Sequence, residues 1–188
     1  MNTSNKIALL IRHADRDDIP EGSFGNDVLL NQIGQVNAFN YGEKLKNQQI
    51  TKIYSSPVPR CVQTAEFIGK GYGRTIEIIE TVALGAPGLH INDEKIAGEF
   101  YLEHGFDVMY ESFKNGTIIP GMVTLESLNQ NMNDFIHKHT NENETTIFIT
   151  HDMLIAFYHF SINKTVYTKE NWVNYLSGIT FKNGVNER

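Results

Sequence analysis

Short apolar runs alternate with helical patterns along this chain, and that alternation constrains its fold more than any other feature of the sequence. The first and last runs are continuous in apolar or β-branched residues, which is typical of strands buried on both faces of a sheet. Strands joined by helices form mostly parallel sheets covered by helices on both sides. We therefore predict one three-layer α/β/α domain over residues 1–188, with a mostly parallel central sheet. The predicted strands are Ile7–Ile11, Ile50–Ser55, Thr75–Ile79 and Thr145–Ile149, with a terminal edge strand at Gly178–Phe181.

Helical patterns fill most of the intervals between these strands. The spacing over Asn31–Lys46 predicts a helix with one broad apolar face. Pro57 and Pro59 suit the start of a second helix, which we expect to continue to Gly69. Segment 82–121 is irregular apart from one or two helices, and we expect it to form a small cap. Other helices are predicted at 121–139, capped by Thr124, and at Leu154–Phe160. The apolar face of the helix predicted over Asn31–Lys46 consists of Ile33, Val36, Ala38, Phe39, Tyr41 and Leu45.

The charge balance and the cysteine count exclude several classes of function. A formal net charge of −6 argues against general nucleic-acid binding. No stretch approaches the roughly 20 apolar residues of a membrane span, and the apolar run near the start is too short for a signal-peptide core. The single cysteine, Cys61, excludes an internal disulfide. We therefore expect a cytoplasmic protein that binds neither nucleic acid nor a membrane, with its oligomeric state left open.

Charged side chains follow three of the predicted strands at the point where each strand ends. Because the carboxyl ends of parallel strands meet at one edge of a sheet, these side chains should converge there. They are Arg12, His13 and Arg16 after the first strand, Arg60 after the second, and His151 and Asp152 after the last. Taken singly, each has a plainer reading: Arg16, for example, could form a surface ion pair with the neighbouring aspartates 15, 17 and 18.

Together, these residue types suit phosphoryl transfer. The transferring group spreads negative charge over its oxygens, and the planar guanidinium of arginine binds two such oxygens at once. A neutral imidazole such as that of His13 can attack phosphorus and form a phosphohistidine. Nearby guanidinium groups should lower the pKa of His13 and keep it neutral. Asp152 is placed to give a proton to the leaving alkoxide. No metal or other cofactor is needed, because the arginines supply the positive charge.

Three strings carry a resemblance to a known family. They are Arg12-His13, the pattern Ser-Pro-x-x-Arg-x-x-Gln-Thr-Ala at 56–65, and Thr150-His151. In this order they resemble the histidine phosphatase superfamily, which has the phosphoglycerate mutase-like fold. The resemblance implies that His13 is the phosphorylated nucleophile and that Arg12, Arg60 and His151 bind the phosphate group. Arg-His-x-x-Arg at 12–16 and His-Asp at 151–152 resemble the acid-phosphatase branch, in which the aspartate is the proton donor and the second arginine binds phosphate.

The resemblance leaves the proton donor and the substrate open. Glu80 is the alternative donor, in the place expected for the mutase branch, although the residues after it do not match that branch. We expect a phosphatase that acts on a small phosphorylated metabolite or a phosphoprotein. The alternatives are a phosphoglycerate-type mutase, a protein phosphohistidine phosphatase, and a module that binds phosphate or phosphopeptides without catalysis.

Several other residues have simpler expected roles. Cys61 should fill space in a helix, since the arginine that a cysteine phosphatase needs six residues later is replaced by Phe67. His90 and Asp93 fall in the expected cap and could line the mouth of a pocket. Trp172 and Tyr175 should pack the C-terminal segment on the core.

Overall fold

The computed structural model describes residues 5–20 and 22–186, and within them one six-stranded sheet forms the centre of the protein. The strand order is β3-β2-β4-β1-β5-β6, with β1 to β4 parallel to one another and β5 and β6 antiparallel to their neighbours. The strands are β1 (Ile7–Arg12), β2 (Lys52–Ser55), β3 (Glu77–Glu80), β4 (Thr145–Thr150), β5 (Gly178–Lys182) and β6 (Val185–Asn186). The prediction of a mostly parallel α/β sheet is confirmed.

Helices cover both faces of this sheet. On one face, Ile11 and Ile149 pack against α1 and α2, while on the other Leu10 and Phe148 pack against α3, α4 and α5. Neighbouring residues in a strand point to opposite faces, so a strand in the centre must be apolar throughout to serve both layers. The helices are α1 (Gln32–Lys44), α2 (Pro59–Tyr72), α3 (Glu94–Lys114), α4 (Leu125–His139) and α5 (Asp152–Asn163).

The predicted apolar face of α1 is wrong for three of its six residues. Ile33, Val36 and Phe39 are exposed, whereas Ala38 and Leu45 are buried as predicted. Gly34 and Gly42 complete the buried face in place of the large apolar residues. The reason is the close approach of α1 to α2: a Cβ atom on Gly42 would lie only 2.1 Å from the backbone oxygen of Ile68. Small residues therefore form the buried face, since only they allow the two backbones to come so close.

Two further segments differ from the expected pattern. Strand β5 is not at the edge of the sheet, because β6 pairs with its outer side. Within the irregular segment, a short 3₁₀ turn at Val82–Leu84 precedes α3, which bends at Gly105, where φ is 76°. Segment 82–121, for which we predict a cap, thus consists mainly of a bent helix. Among the helices of the described residues, none is both long and apolar enough to cross a membrane.

Candidate active site

The charged residues that follow strands β1, β2 and β4 meet at one edge of the sheet. Arg12 lies beside Thr150 in the parallel pairing of β1 and β4, and the backbone N–H of His13 donates to the Thr150 carbonyl over 2.9 Å. The imidazole rings of His13 and His151 have centroids 5.5 Å apart. The predicted convergence of these side chains is therefore present.

The imidazole of His13 is buried and neutral, with one nitrogen available to a ligand. Its side chain is 2% exposed. Nδ1 lies 2.8 Å from the Ala14 carbonyl oxygen and donates to it, so Nε2 carries the lone pair and accepts from Nε of Arg60 over 3.1 Å. Burial is the main cause that lowers the pKa of His13 well below its usual value, followed by the repulsion that protonated His13 and His151 would exert on each other; Arg60 and Arg12 lower it further. The predicted effect of the arginines is thus real but secondary to burial.

The guanidinium of Arg60 lies between the two imidazoles. It donates to Nε2 of His13 and, over 3.2 Å, to Nδ1 of His151, and its third contact is the carbonyl oxygen of Gly25. Arg60 belongs to the first turn of α2, where Thr64 links the turn to the β1 loop: its hydroxyl donates to the Arg60 carbonyl and accepts from the N–H of Ala14. The fold therefore fixes Arg60 where an anion in front of His13 would meet it.

His151 lies on the other side of Arg60 from His13. Because Nδ1 accepts from Arg60, Nε2 carries the proton and donates to the Ser56 hydroxyl over 3.0 Å. Burial and the charge of Arg60 lower the pKa of His151 to about 3. Gly85 lies against the ring: a Cβ atom there would be 2.6 Å from Cδ2 of His151. A residue without a side chain is thus required for the ring to occupy this position.

Arg12 and Asp152 form an ion pair at the edge of the same site. Nη2 of Arg12 lies 2.8 Å from Oδ2 of Asp152, which also accepts from the indole N–H of Trp172 over 3.0 Å. A second Arg12 nitrogen donates to the Val173 carbonyl, and its guanidinium stacks 4.0 Å above the ring of Tyr175. These contacts hold Arg12 beside His13, and they give Asp152 two donors that suit the carboxylate form.

Arg16 and Glu80 lie farther from the imidazoles. Arg16 lines the cavity in front of His13, where one terminal nitrogen donates to the Asp17 carbonyl and Nε has no partner among the described residues. Burial is the main cause that lowers the pKa of Arg60, and the charge of Arg16 lowers it further. Glu80 is exposed at the end of β3 and is not among the residues that line the cavity.

A cavity of about 530 Å³ opens in front of His13, Arg60 and His151. Its far wall comes largely from α3 and is mostly apolar, with Glu94, Lys95 and Glu99 as its charged residues. Of the two pocket candidates, His90 lines the cavity, whereas Asp93 caps α3 by accepting from the N–H of Ile96. His90 is 4% exposed, and both ring nitrogens lack a partner among the described residues. Burial lowers its pKa to about 4, so the ring is neutral at pH 7.

A family description of the histidine phosphatase superfamily, branch 1, matches residues 8–169. The chain belongs to the histidine phosphatase superfamily. Membership makes it a phosphoryl-transfer enzyme of the phosphatase and mutase type. The features of Arg12–Arg16 and His151-Asp152 that resemble acid phosphatases therefore occur in a chain of branch 1.

Solved structures of other proteins share the fold of this chain at low sequence identity. Phosphoglycerate mutase from Bacillus anthracis is 15% identical with a TM-score of 0.63, over 99% of this chain and 92% of that one. A mycobacterial glucosyl-3-phosphoglycerate phosphatase is 16% identical with a TM-score of 0.61, over 95% and 90%. A phosphohistidine phosphatase of Agrobacterium tumefaciens, described as putative, is 12% identical with a TM-score of 0.55, over 94% and 90%. No functionally curated protein matches the sequence significantly.

Three residues contact the charged side chains of the site although the sequence does not predict it. Trp172 and Tyr175 were expected only to pack on the core, but they contact Asp152 and Arg12 respectively. Ser56 was part of a motif without a role of its own, and its hydroxyl bonds His151. Two aromatic side chains close together in an otherwise irregular segment before β5 were the only sequence signal for the first two.

The thiol of Cys61 is not placed to act as a nucleophile. Cys61 is fully buried in α2, as expected, and burial raises the pKa of its thiol to about 12. The thiol is therefore protonated and unsuited to nucleophilic attack. In the described part of the chain, no three histidine, cysteine or acidic side chains form a group that could hold a metal ion.

Proposed function

We propose that this chain hydrolyses phosphate monoesters and that His13 becomes phosphorylated in each turnover. The observation that carries the proposal is the state of His13: its neutral ring presents Nε2 to a guanidinium that also contacts His151. A lone pair that faces clustered positive charge is what attack on a phosphate dianion requires. The phosphate group would replace the Arg60–His13 bond and accept from Arg12 and Arg60, and from His151 once Nδ1 of that ring takes up a proton next to the dianion.

The reaction then needs two displacements. Nε2 of His13 attacks phosphorus while the bond to the ester oxygen breaks, and the departing oxygen takes a proton from Asp152. A water molecule next attacks the phosphorus of phospho-His13, gives its proton to Asp152, and the P–N bond breaks to release phosphate. Each step conserves charge within the site, and the arginines stabilise the equatorial oxygens in both.

Asp152 is the proton donor in this proposal. At rest its Oδ2 accepts from Arg12 and Trp172, but a bound phosphate dianion would compete for Arg12 and add negative charge nearby. Both effects favour protonation of the carboxylate. Glu80 is less suited to the role, because it is exposed outside the cavity. Arg16, at the cavity wall with a free Nε, would add a further contact to the anion.

The apolar cavity wall favours hydrolysis over the mutase alternative. A phosphoglycerate-type mutase must hold a second anionic group while the phosphoenzyme survives, whereas the wall from α3 offers mostly apolar side chains. In this proposal the 82–121 segment is the cap that shapes the leaving-group site. The same wall gives no reason to prefer phosphohistidine in a protein as substrate, and a binding module would not need a poised nucleophile.

Two finer properties belong to the proposal. Catalysis should proceed without a metal, because guanidinium groups already surround the position of the phosphate. The buried thiol of Cys61 fits a reducing compartment such as the cytoplasm.

The test compares wild type with His13→Ala and with His137→Ala, a control at an exposed position on α4. Hydrolysis of p-nitrophenyl phosphate should fall by about a thousandfold or more in His13→Ala and remain unchanged in the control. Circular dichroism would establish that each variant is folded. Near-normal turnover by a folded His13→Ala would refute the proposal, and loss of wild-type activity with a chelator would refute metal independence.

A further inference from the structure

The cavity in front of His13 is much larger than a phosphate group needs. Its volume of about 530 Å³ falls in the range of pockets that enclose most of a drug-sized ligand. His13, Arg60 and His151 form one end of it. The remaining walls must therefore face the part of the substrate that leaves, and their chemistry indicates what that part is.

Aromatic and aliphatic side chains form most of these walls. Phe24 and Tyr101 have ring centroids 5.6 Å apart, and Phe106 meets Trp172 edge to face with centroids 4.8 Å apart. Phe24 is 47% exposed and Leu102 is 54% exposed. Both line the cavity, so water now contacts apolar surface that an apolar ligand would cover.

The charged residues of the wall give little support to a second anionic group on the substrate. Away from the phosphate end they are Glu94, Lys95 and Glu99, all exposed, with two negative charges against one positive. Arg16 also lines the cavity, but it lies close enough to Arg60 for the two charges to repel each other, and the proposed function assigns it to the phosphate. Among the described residues that line the rest of the wall, Lys95 is therefore the one cation that a carboxylate or second phosphate would meet, and Glu94 and Glu99 oppose it.

We infer that the substrates are phosphate monoesters of bulky, uncharged and mainly apolar alcohols. The inference deepens the proposed phosphatase function and rests on it. The phosphate binds between Arg60 and the two histidines, and the apolar body of the alcohol lies against Phe24, Tyr101 and Phe106. Specificity comes from burial of that body, with no charged contact beyond the phosphate.

A series of esters of primary alcohols tests this class while the leaving-group chemistry stays nearly constant. The series is ethyl, butyl and octyl phosphate, with glucose 6-phosphate and a phosphoserine peptide as polar comparisons. The value of kcat/KM should rise along the alkyl series, by up to about fourfold for each methylene that becomes buried, and exceed both polar substrates. Equal values along the alkyl series, or a preference for the sugar or the peptide, would overturn the inference.

Two variants on α3 locate the effect. Leu102→Glu places a carboxylate in the apolar wall, and Val108→Glu is the matched control, since Val108 is 46% exposed on the same helix and does not line the cavity. The ratio of kcat/KM for octyl over ethyl phosphate should drop by about tenfold in Leu102→Glu and keep its wild-type value in Val108→Glu. The same ratio in both variants would show that this wall does not select the substrate.

Binding without turnover separates this inference from the proposed function. Trp172 is the only tryptophan and lines the cavity, so its fluorescence reports the binding of octylphosphonate and ethylphosphonate. Tighter binding of the octyl compound supports the apolar class even if no ester is hydrolysed, in which case only the phosphatase function fails. Hydrolysis of every ester with equal phosphonate affinities would retain the function and refute the class.

Discussion

Replacing His90 with glutamine should make the protein less sensitive to acid. His90 is buried, and its pKa in the folded protein is about 4, against about 6.5 for an exposed histidine in the unfolded chain. Between these two values the unfolded chain binds a proton that the folded protein does not. The free energy of unfolding therefore falls as the pH decreases through this window. Glutamine keeps a donor and an acceptor but has no group that titrates there.

The size of the effect follows from the two pKa values. At pH 5, about 1.5 units below the pKa of His90 in the unfolded chain, protonation of this residue stabilises the unfolded chain by about 2 kcal/mol relative to neutral pH. The folded protein gains almost nothing there, because its pKa is about 4. The loss of stability from pH 7 to pH 5 should thus be about 2 kcal/mol smaller in His90→Gln than in wild type. Changes in packing cancel, because each protein is compared with itself.

Urea unfolding, followed by circular dichroism at both pH values, measures this difference. The other buried histidines, including His13 and His151, contribute to the acid sensitivity of both proteins and drop out of the comparison. An identical loss of stability in wild type and His90→Gln would refute the reasoning, since it would mean that His90 titrates alike in the folded and unfolded states.

Three further predictions concern the site itself. An NMR titration of labelled imidazoles should find that the ring of His13 takes up its proton at a lower pH than a free imidazole, because burial lowers its pKa; a midpoint equal to or above that of free imidazole would contradict the assigned environment. Gly85→Ala should reduce kcat by about tenfold to a hundredfold, because the new Cβ displaces His151, whereas Gly69→Ala, with open space around it, should leave kcat unchanged. The thiol of Cys61 should react with iodoacetamide only after unfolding, and fast labelling of the native protein would show that it is not buried.

The sequence predicts the site well where the position of a residue directly after a strand decides where its side chain lies. Continuous apolar runs identified β1 and β4 as central strands, and the parallel pairing then brings His13 and His151 together through a backbone bond between the two strand ends. The Arg60 side chain follows from the same logic, because it begins the helix after the neighbouring strand. Here local pattern and tertiary contact agree.

The sequence was misleading where a close approach between two segments of backbone decides which residues are buried. Hydrophobic periodicity placed Ile33 and Val36 inside, but α1 buries Gly42 against the backbone of α2 and Gly34 against the backbone of Asp15. Periodicity measures side-chain polarity and contains no information about how near another helix comes. A similar limit applies to Trp172, whose contact with Asp152 depends on how an irregular segment folds back over the site.

The most direct test of the account is to find the phosphoryl group on His13 during turnover. Wild-type protein in excess is mixed with p-nitrophenyl phosphate, quenched in alkali at successive early times, and analysed by peptide mass spectrometry, because phosphohistidine survives alkali. The account predicts one phosphoryl group on the peptide that contains His13, appearing with p-nitrophenol and then disappearing with release of phosphate. A phosphoryl group on any other side chain, or product formation with no phosphorylated protein at any time, would contradict it.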